Sequence, residues 1–254
     1  MTVTLASNSR LSWDSLLTAV HAWQLRPSEW RGSGVRERLL SQLAADERAR
    51  YEELGTEAMR ETYLASRVLC RVTLSRYTGA HPLEWRFGKG PYDKPILIEP
   101  DRFASLRFNL THTDDLVILA VTRAGEVGVD AEETSRPVDV SLVARHFLSR
   151  RQEARLAKLA PRERAARFYE QWVLKEAYVK ATGKGLANTI DRLTIDQADD
   201  GTPIAIGDCQ FSLCRPDSNY VAAAAAVASC RAGSLYFEWL VASNVTDIAL
   251  SYTL

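Results

Sequence analysis

Residues 168–186, "FYEQWVLKEAYVKATGKGL", predict a long helix that ends in a glycine loop and carries a carboxylate on its apolar face. Helical steps from Phe168 lead to Trp172 and then to Glu176, so the acid lies in line with two aromatic rings. An isolated carboxylate is costly to bury, so a buried Glu176 must be protonated, paired or bound to a cation. The alternative is a surface ion pair with Lys180, four residues on, in the favourable order.

A second acidic site lies in "VGVDAEE", residues 127–133. In a strand its valines and alanine would face one side, and Asp130 and Glu132 would share the other. A two-residue step spans roughly 6.5 Å, so the two charges repel unless a cation lies near both. Oxygen ligands suit Mg²⁺, which keeps open positions for water and phosphates. The alternative is a pair of solvated acids on an edge strand, and Glu126 and Glu133 nearby are predicted to be ordinary surface charges.

Two further segments carry candidate ligand-binding residues. In "FNLTHT", residues 108–113, His112 stands between two hydroxyl residues after a predicted strand, and a structural histidine is the alternative. In "GKGPYDKP", residues 88–95, Lys89 and Lys94 flank glycine and proline. Such a loop can present backbone N–H groups and ammonium charge to phosphate. Solvated surface lysines are the alternative there.

The remaining pattern predicts helices followed by strands, twice. Residues 35–78 have helical spacing and close on Gly79, and short β-rich runs follow in residues 83–122. Residues 141–181 are again helical, and three more runs, "LTID", "AIGDCQFSL" and "YVAAAAAVAS", predict strands. The alanine run favours helix by propensity, but the turn "RPDSN" precedes it and "FSL" offers a partner strand, so we assign it to a strand.

A weak internal echo supports two related halves. The run "DDLVILAVT" in the first half is matched by "SNYVAAAAAVA" in the second. We therefore expect an α+β fold of two similar halves, residues 1–124 and 125–254, which join near residues 123–127.

Composition sets the remaining limits. The 254 residues suffice for one large domain or two small ones, and a net charge of zero gives no overall bias toward nucleic acid or anionic membrane. The four cysteines have no CxxC spacing, which argues against zinc and for reduced thiols. The start of the chain lacks the order of a signal peptide and no apolar run could cross a bilayer, so we expect a cytoplasmic protein.

Taken together, "KGPYDKP", "FNLTHT", "VGVDAE" and "WVLKEAYVKATGKGL" resemble, in order and spacing, the surfactin-synthetase-type 4′-phosphopantetheinyl transferases. The resemblance covers most of residues 45–195, and "TYLASRVLCRVTLSRY" resembles the family's N-terminal helix. It implies a pseudo-dimer of α+β halves with the active site between them. It also implies a Mg²⁺-dependent enzyme, with Mn²⁺ as an alternative ion. Such enzymes transfer the phosphopantetheine arm of coenzyme A to a serine of an apo acyl or peptidyl carrier protein and release adenosine 3′,5′-bisphosphate.

The resemblance further implies roles for individual residues. The metal ligands would be Asp130, Glu132 and Glu176. The pyrophosphate contacts would be His112 and Lys180, with a hydroxyl from Thr111 and added positive charge from Lys175. The loop for adenine and the 3′-phosphate would consist of Lys89, Gly90, Pro91, Tyr92, Asp93 and Lys94. The arginine candidates for the 3′-phosphate are Arg48, Arg50, Arg60 and Arg67, of which Arg50 is preferred.

The chemistry needs cations and a base. Mg²⁺, Lys180 and His112 would offset charge that builds on the phosphates, which makes His112, Lys180 and Glu176 the candidate catalytic residues. Glu176, or a metal-bound water beside it, would take the proton of the carrier serine. Two departures from the family bear on the site: Asp93 replaces a glycine, and Gln152 stands where many members carry an acid.

A basic segment is the candidate site for the carrier protein. Residues 145–167 hold eight Arg or Lys residues and two acids, with Phe147 and Leu148 as apolar contacts. A solvated helical face is the alternative. We expect a monomer that binds coenzyme A and carrier proteins, and neither nucleic acid nor membrane. Two other functions stay open at this point, a metal-dependent phosphodiester or pyrophosphate hydrolase and a non-catalytic coenzyme-A- or carrier-binding module.

Overall fold

A computed structural model describes residues 11–30, 34–90, 94–135, 139–185, 193–198, 201–228 and 233–242. The predicted site residues Pro91, Tyr92 and Asp93 lie outside these ranges. Within them, no helix has both the length and the apolar character that a bilayer span needs.

The first sheet has four strands, in the order β4-β5-β1-β9. Its members are β1 (Ala19–Leu25), β4 (Arg107–Thr113), β5 (Leu116–Thr122) and β9 (Tyr236–Val241). Strand β5 is antiparallel to both β4 and β1, whereas β9 runs parallel to β1. The sequence predicted β4 and β5, but it gave no prediction for β1 or β9. Strand β9 therefore joins the sheet of the first half although it comes from the end of the described chain.

Three helices form the predicted helical region of the first half. They are α1 (Arg36–Leu40), α2 (Ala45–Glu53) and α3 (Glu57–Thr78). The Thr56 side chain caps the start of α3 by accepting a hydrogen bond from the backbone N–H of Met59. As predicted, the helix ends at Gly79, which adopts φ 72°.

A short hairpin follows α3 in the chain and precedes strand β4 of the first sheet. It consists of β2 (Arg86–Lys89) and β3 (Pro95–Glu99). The buried Arg71 guanidinium of α3 donates to the carbonyls of Pro82 and Trp85, just before β2. The prediction of β-rich runs from residue 83 is therefore only partly correct, because residues 82–84 form a 3₁₀ turn at this anchor.

The second sheet contains three antiparallel strands in the order β6-β8-β7. They are β6 (Gly125–Glu133), β7 (Cys209–Cys214) and β8 (Tyr220–Ala228). The assignment of the alanine run to a strand is confirmed, since it forms the central strand β8. The strand predicted for "LTID" is wrong: residues 193–196 are irregular, and Ile195 is buried in the core beneath the helices without joining a ladder.

The helices of the second half are α4 (Val140–Phe147), α5 (Arg150–Leu156) and α6 (Pro161–Thr182). Pro161 begins α6. Gly183, at φ 63°, ends the helix at the glycine loop that the sequence predicted. The 22-residue α6 packs along β6 and β8.

The two sheets pack face to face, and the helices cover their outer faces. Alternate residues of β8 divide between two cores: Ala222, Ala224 and Ala226 lie between the sheets, whereas Val221, Ala223 and Ala225 lie under α6. Small side chains on both faces of β8 let a sheet and a helix approach closely, which explains a run of alanines in a central strand. Strands β5 and β8 contain the two runs of sequence that echo each other, and both are interior strands of their sheets. The predicted α+β class is confirmed.

Candidate functional site

Gly128 sets the distance between β6 and α6. A Cβ atom at this position would lie 2.1 Å from the carbonyl oxygen of Ala177 and 2.4 Å from the backbone nitrogen of Ala181. Because glycine has no side chain, the backbone of α6 rests directly on the strand. This contact brings Glu176 and Lys180 of the helix against Asp130, two residues beyond Gly128 on the same face of β6.

Lys180 joins three elements in one hydrogen-bonded group. Its Nζ donates to Oδ1 of Asp130 at 2.6 Å, to the carbonyl oxygen of Val129 at 3.2 Å and to the hydroxyl of Thr111 at 3.3 Å. Thr111 also donates to Oδ1 of Asp130 at 3.2 Å. Burial raises the pKa of Asp130, and the Lys180 charge opposes that rise. The site therefore contains a buried carboxylate held by β4 and α6 together.

Glu176 is buried, with 8% of its surface exposed. The interpretation of Glu176 and Lys180 as a surface pair is therefore wrong. The pKa of Glu176 is raised to about 7, mainly by burial and then by the negative charge of Asp130; Glu132 adds to the rise, and the positive charge of Lys180 opposes it. Two other acids thus act on a carboxyl that already lacks solvent, and a divalent cation would relieve this repulsion.

Asp130 and Glu132 lie on the face of β6 that points away from the inter-sheet core, as the strand pattern predicted, since the core contains Val127, Val129 and Ala131. Oδ2 of Asp130 is buried and has no hydrogen-bond partner among the described residues. Glu132 accepts a hydrogen bond of 3.1 Å from the Trp172 indole.

The acids are not gathered into a formed ion site. Across the described ranges, no three His, Cys, Asp or Glu side chains are grouped closely enough to hold a metal ion. Oδ1 of Asp130 accepts a hydrogen bond from Lys180, and Oε1 of Glu132 accepts one from Trp172. Trp172 is in turn fixed by the Phe147 ring, at 4.1 Å between centroids.

His112 lies at the exposed end of β4, next to Thr111. Its pKa is lowered by desolvation and then by the positive charges of Lys180 and Arg67. A neutral imidazole is therefore favoured near neutral pH, flanked by cations from both halves of the chain.

A cavity of about 360 Å³ lies on the Arg67 side of His112, between α2, α3 and the β2–β3 hairpin. Two predicted residues, Arg67 and Lys89, line it. The Arg67 guanidinium lies over the Tyr63 ring, and its Nε is buried without a hydrogen-bond partner among the described residues. Nη1 of Arg67 lies 3.9 Å from Oε1 of Glu47, which also lines the cavity. The guanidinium charge suits an anion, although a carboxylate already lies beside it.

The other arginine candidates do not line this cavity. Arg48 and Arg50 are exposed on α2 and pair with Glu52 and Glu53, in the same helix. Arg60 donates to the carbonyl oxygen of Leu54.

The hairpin brings Gly90 and Lys94 together, because the N–H of Gly90 donates to the carbonyl oxygen of Lys94 at 2.8 Å. The Lys94 ammonium donates across the boundary between the halves, to Glu126 at 3.1 Å and to the carbonyl oxygen of Val127 at 3.2 Å. Glu126, which the sequence predicted to be an ordinary surface charge, is therefore a partner of a candidate site lysine.

Lys175 and Gln152 have their described contacts away from the acids. Lys175 is fully buried and donates to the carbonyl oxygen of Phe147 at 2.7 Å, so it fastens the end of α4 to α6. Gln152 forms a capping box with Ser149 at the start of α5 and donates to the buried Gln171. An amide used in this way supplies no titrating group.

Sequence reasoning missed two residues that assemble the site. Gly128 is a glycine inside a predicted strand, and that pattern is itself a signal of close backbone approach. Asn109 is buried on β4 and accepts a hydrogen bond of 2.9 Å from the backbone N–H of Val129 on β6. A single asparagine in a strand offers no comparable signal, because its partner is 20 residues away and in another sheet.

Comparison with known proteins gives a consistent result. A model described as the 4′-phosphopantetheinyl transferase superfamily matches residues 126–227, and one described as 4′-phosphopantetheinyl transferase, N-terminal, matches residues 21–124. The 4′-phosphopantetheinyl transferase HetI of Nostoc sp. PCC 7120 is 34% identical over 66% of this chain and 70% of its own length. A phosphopantetheinyl transferase of Thraustochytrium sp. is 32% identical over 70% and 67%, respectively. The 4′-phosphopantetheinyl transferase Sfp of Bacillus subtilis is 28% identical over 72% and 75%.

Proposed function

The chain belongs to the 4′-phosphopantetheinyl transferase superfamily, and we propose on that basis that it transfers the phosphopantetheine arm of coenzyme A to a serine of an apo carrier protein. The serine oxygen forms a bond to the β-phosphorus, the pyrophosphate bond breaks, and adenosine 3′,5′-bisphosphate leaves. The observation that best supports this chemistry is the buried Glu176 beside Asp130 and Lys180, where β4, β6 and α6 meet.

We propose that Asp130, Glu132 and Glu176 hold Mg²⁺, with Mn²⁺ as the alternative ion. Three features support the fit: the unsatisfied Oδ2 of Asp130, the raised pKa of Glu176, and a donor set made only of carboxylate oxygens. When bound, the ion would neutralise charge on the coenzyme A pyrophosphate. If Trp172 or Lys180 rotated away from the carboxylate to which it donates, the freed oxygen of Glu132 or Asp130 could bind the ion.

Other side chains and backbone groups of the chain would hold the rest of coenzyme A. Lys180 and His112 are proposed to bind the pyrophosphate, with Thr111 as a hydroxyl donor. Lys89, Gly90 and Lys94, with residues 91–93, are proposed to form the adenine and 3′-phosphate loop. Arg50 was the preferred arginine from sequence, but the lining of the cavity supports Arg67 as the contact to the 3′-phosphate.

We assign Glu176 as the base that accepts the proton of the carrier serine. The pKa of about 7 belongs to Glu176 without a divalent ion; an ion beside its carboxylate would lower that pKa and keep the group ionised, which is the form that accepts a proton. Gln152 is not assigned this task, because its amide cannot take a proton and is committed to the α5 cap.

The carrier protein is proposed to bind at the basic residues 145–167, on α4, α5 and the start of α6. Lys175 would act there indirectly, by holding the end of α4 against the metal-binding helix. We further propose that the enzyme is of the surfactin-synthetase type, monomeric and cytoplasmic. The division into halves is proposed to fall between residues 124 and 125.

The test is the intact mass of several apo carrier proteins after incubation with the enzyme, coenzyme A and Mg²⁺. The proposal expects a phosphopantetheine mass gain that depends on the metal. Without an acceptor, coenzyme A should stay intact, whereas a hydrolase would still release the bisphosphate. A binding module would give neither product, and either result would overturn the proposed transfer.

A further inference from the structure

In the described part of the chain, side chains rather than another strand cover the outer edge of β6. Three consecutive backbone groups on this edge have side-chain partners: Lys94 donates to the carbonyl of Val127, the N–H of Val129 donates to Asn109, and Lys180 donates to the carbonyl of Val129. The second sheet ends at β6, so these side chains satisfy backbone groups that a neighbouring strand would otherwise pair.

The two lysines on this edge are held in the same way. Lys180 lies between the carbonyl of Val129 and the carboxylate of Asp130. Lys94 lies between the carbonyl of Val127 and the carboxylate of Glu126. In each case β6 supplies one backbone oxygen and the carboxylate of an adjacent residue. Glu126 therefore holds Lys94 in the same way that Asp130 holds Lys180.

Glu126 is itself fixed by a third segment. Its Oε1 accepts a hydrogen bond of 2.7 Å from Nε of Arg107, and the same guanidinium donates to the carbonyl of Ala104 at 2.6 Å. Arg107 begins β4, Lys94 precedes β3, and Glu126 lies near the start of β6. One carboxylate therefore ties the hairpin and the first sheet to the second sheet.

The contact of Lys94 with Glu126 lies near the tip of the β2–β3 hairpin, whereas the contacts that anchor the hairpin lie mainly at its base. At the base, Arg71 holds the carbonyls of Pro82 and Trp85, and Phe87 packs edge-on against Phe108. At the other end of β2 and β3, the described polar link to the second half is Lys94 with Glu126 and Val127. The position of Lys94 thus depends on the Glu126 carboxylate and on the Val127 carbonyl.

We propose that Glu126 is a positioning residue for coenzyme A binding, acting through Lys94 to hold the β2–β3 hairpin at the orientation that the substrate requires. This inference rests on the proposed function, because it assigns Lys94 to the coenzyme A site. Glu126 takes no part in the chemical step. Its loss should weaken the capture of coenzyme A and leave turnover of the bound complex intact.

The test compares Glu126→Gln with the wild-type enzyme in a carrier-modification assay, with Glu99→Gln as the matched control. Glu99 is an exposed acid on the same hairpin, so both variants remove one negative charge. We expect Glu126→Gln to raise KM for coenzyme A about fivefold, with kcat within about twofold, as for loss of a partly exposed ion pair that only positions a ligand. Glu126→Asp should recover part of the loss, and Glu99→Gln should behave as wild type.

A Lys94→Gln background completes the experiment. Because Glu126 acts through Lys94, adding Glu126→Gln to that background should change KM by less than about twofold. An unchanged KM in Glu126→Gln, an equal rise in Glu99→Gln, or a full additional rise in the Lys94→Gln background would each overturn the inference. A wild-type enzyme that modifies no carrier would instead overturn the proposed function, so the two failures are distinguishable.

Discussion

Gly128 on β6 and Ala177 on α6 are in backbone contact, and this contact determines where Lys180 and Glu176 lie relative to Asp130. A methyl group on Gly128 would lie 2.1 Å from the carbonyl oxygen of Ala177, well inside van der Waals distance. Helix α6 cannot yield locally at this point, because the backbone nitrogen of Ala181 and the carbonyl carbon of Lys180 would lie only 2.4 Å and 2.9 Å from the same methyl group.

Gly128→Ala should therefore displace α6 and disable the site. We expect overpacking to cost about 1–3 kcal/mol of unfolding free energy. We expect carrier modification to fall about 100-fold, because a shift of about 1 Å would misplace the proposed catalytic groups. Gly55→Ala is the matched control, since the described part of the chain has nothing within 4 Å of a Cβ there. Thermal melts and initial rates would decide, and a fully active Gly128→Ala would contradict this packing argument.

Glu176 should make stability depend on pH when no divalent ion is present. Its pKa is about 7 in the folded chain and 4.5 in its ordinary state, so the folded form retains a proton that the unfolded form has lost. The stability present below pH 4.5 is then lost as pH rises toward 7, by up to about 3 kcal/mol.

The comparison with Glu176→Gln isolates this effect. Burial lowers the pKa of His21 to about 4, so this group adds stability to the folded chain as pH rises. It does so equally in wild type and in Glu176→Gln, and the difference between the two proteins cancels it. Denaturant melts with a chelator present, at pH 5 and pH 8, should show Glu176→Gln gaining on wild type as pH rises. Glu163→Gln, an exposed acid on the same helix, is the control. A constant difference between wild type and Glu176→Gln would mean that Glu176 titrates as an ordinary carboxyl.

Arg67 should determine whether the enzyme distinguishes coenzyme A from 3′-dephospho-coenzyme A. Loss of a charge-assisted contact to the 3′-phosphate should lower the kcat/KM preference for coenzyme A about tenfold in Arg67→Gln. Arg50→Gln removes the same charge from an exposed position and should keep the preference. The reverse outcome would restore Arg50, the preference from sequence, as the phosphate ligand.

The sequence pattern predicted the structure correctly where buried and exposed residues alternate regularly or a glycine marks the end of a helix. The alternation in "VGVDAEE" placed Asp130 and Glu132 on one face of β6, and the glycine signals located the ends of α3 and α6. Strand β1 was missed because its buried residues include His21 and Gln24, which interrupt the continuous apolar run by which the equally buried β5 was predicted. "LTID" was misassigned because burial of Ile195 imitates a strand pattern.

The site contacts between distant segments were beyond the reach of local patterns. Glu126 has an ordinary surface composition around it, and only the fold brings Lys94 and Arg107 to its two oxygens. The same holds for Arg67, which the helix pattern could not rank above Arg50, because the cavity needs the hairpin as its second wall.

The most direct test of the central claim is a titration of Mn²⁺ by electron paramagnetic resonance in the presence of coenzyme A. The claim is that Asp130, Glu132 and Glu176 hold one divalent ion where the two halves meet. We predict one bound Mn²⁺ per wild-type chain, and an affinity at least about tenfold weaker in Glu176→Gln and in Asp130→Asn, with Glu163→Gln unchanged. Equal Mn²⁺ affinity in wild type and in both ligand variants would contradict the account.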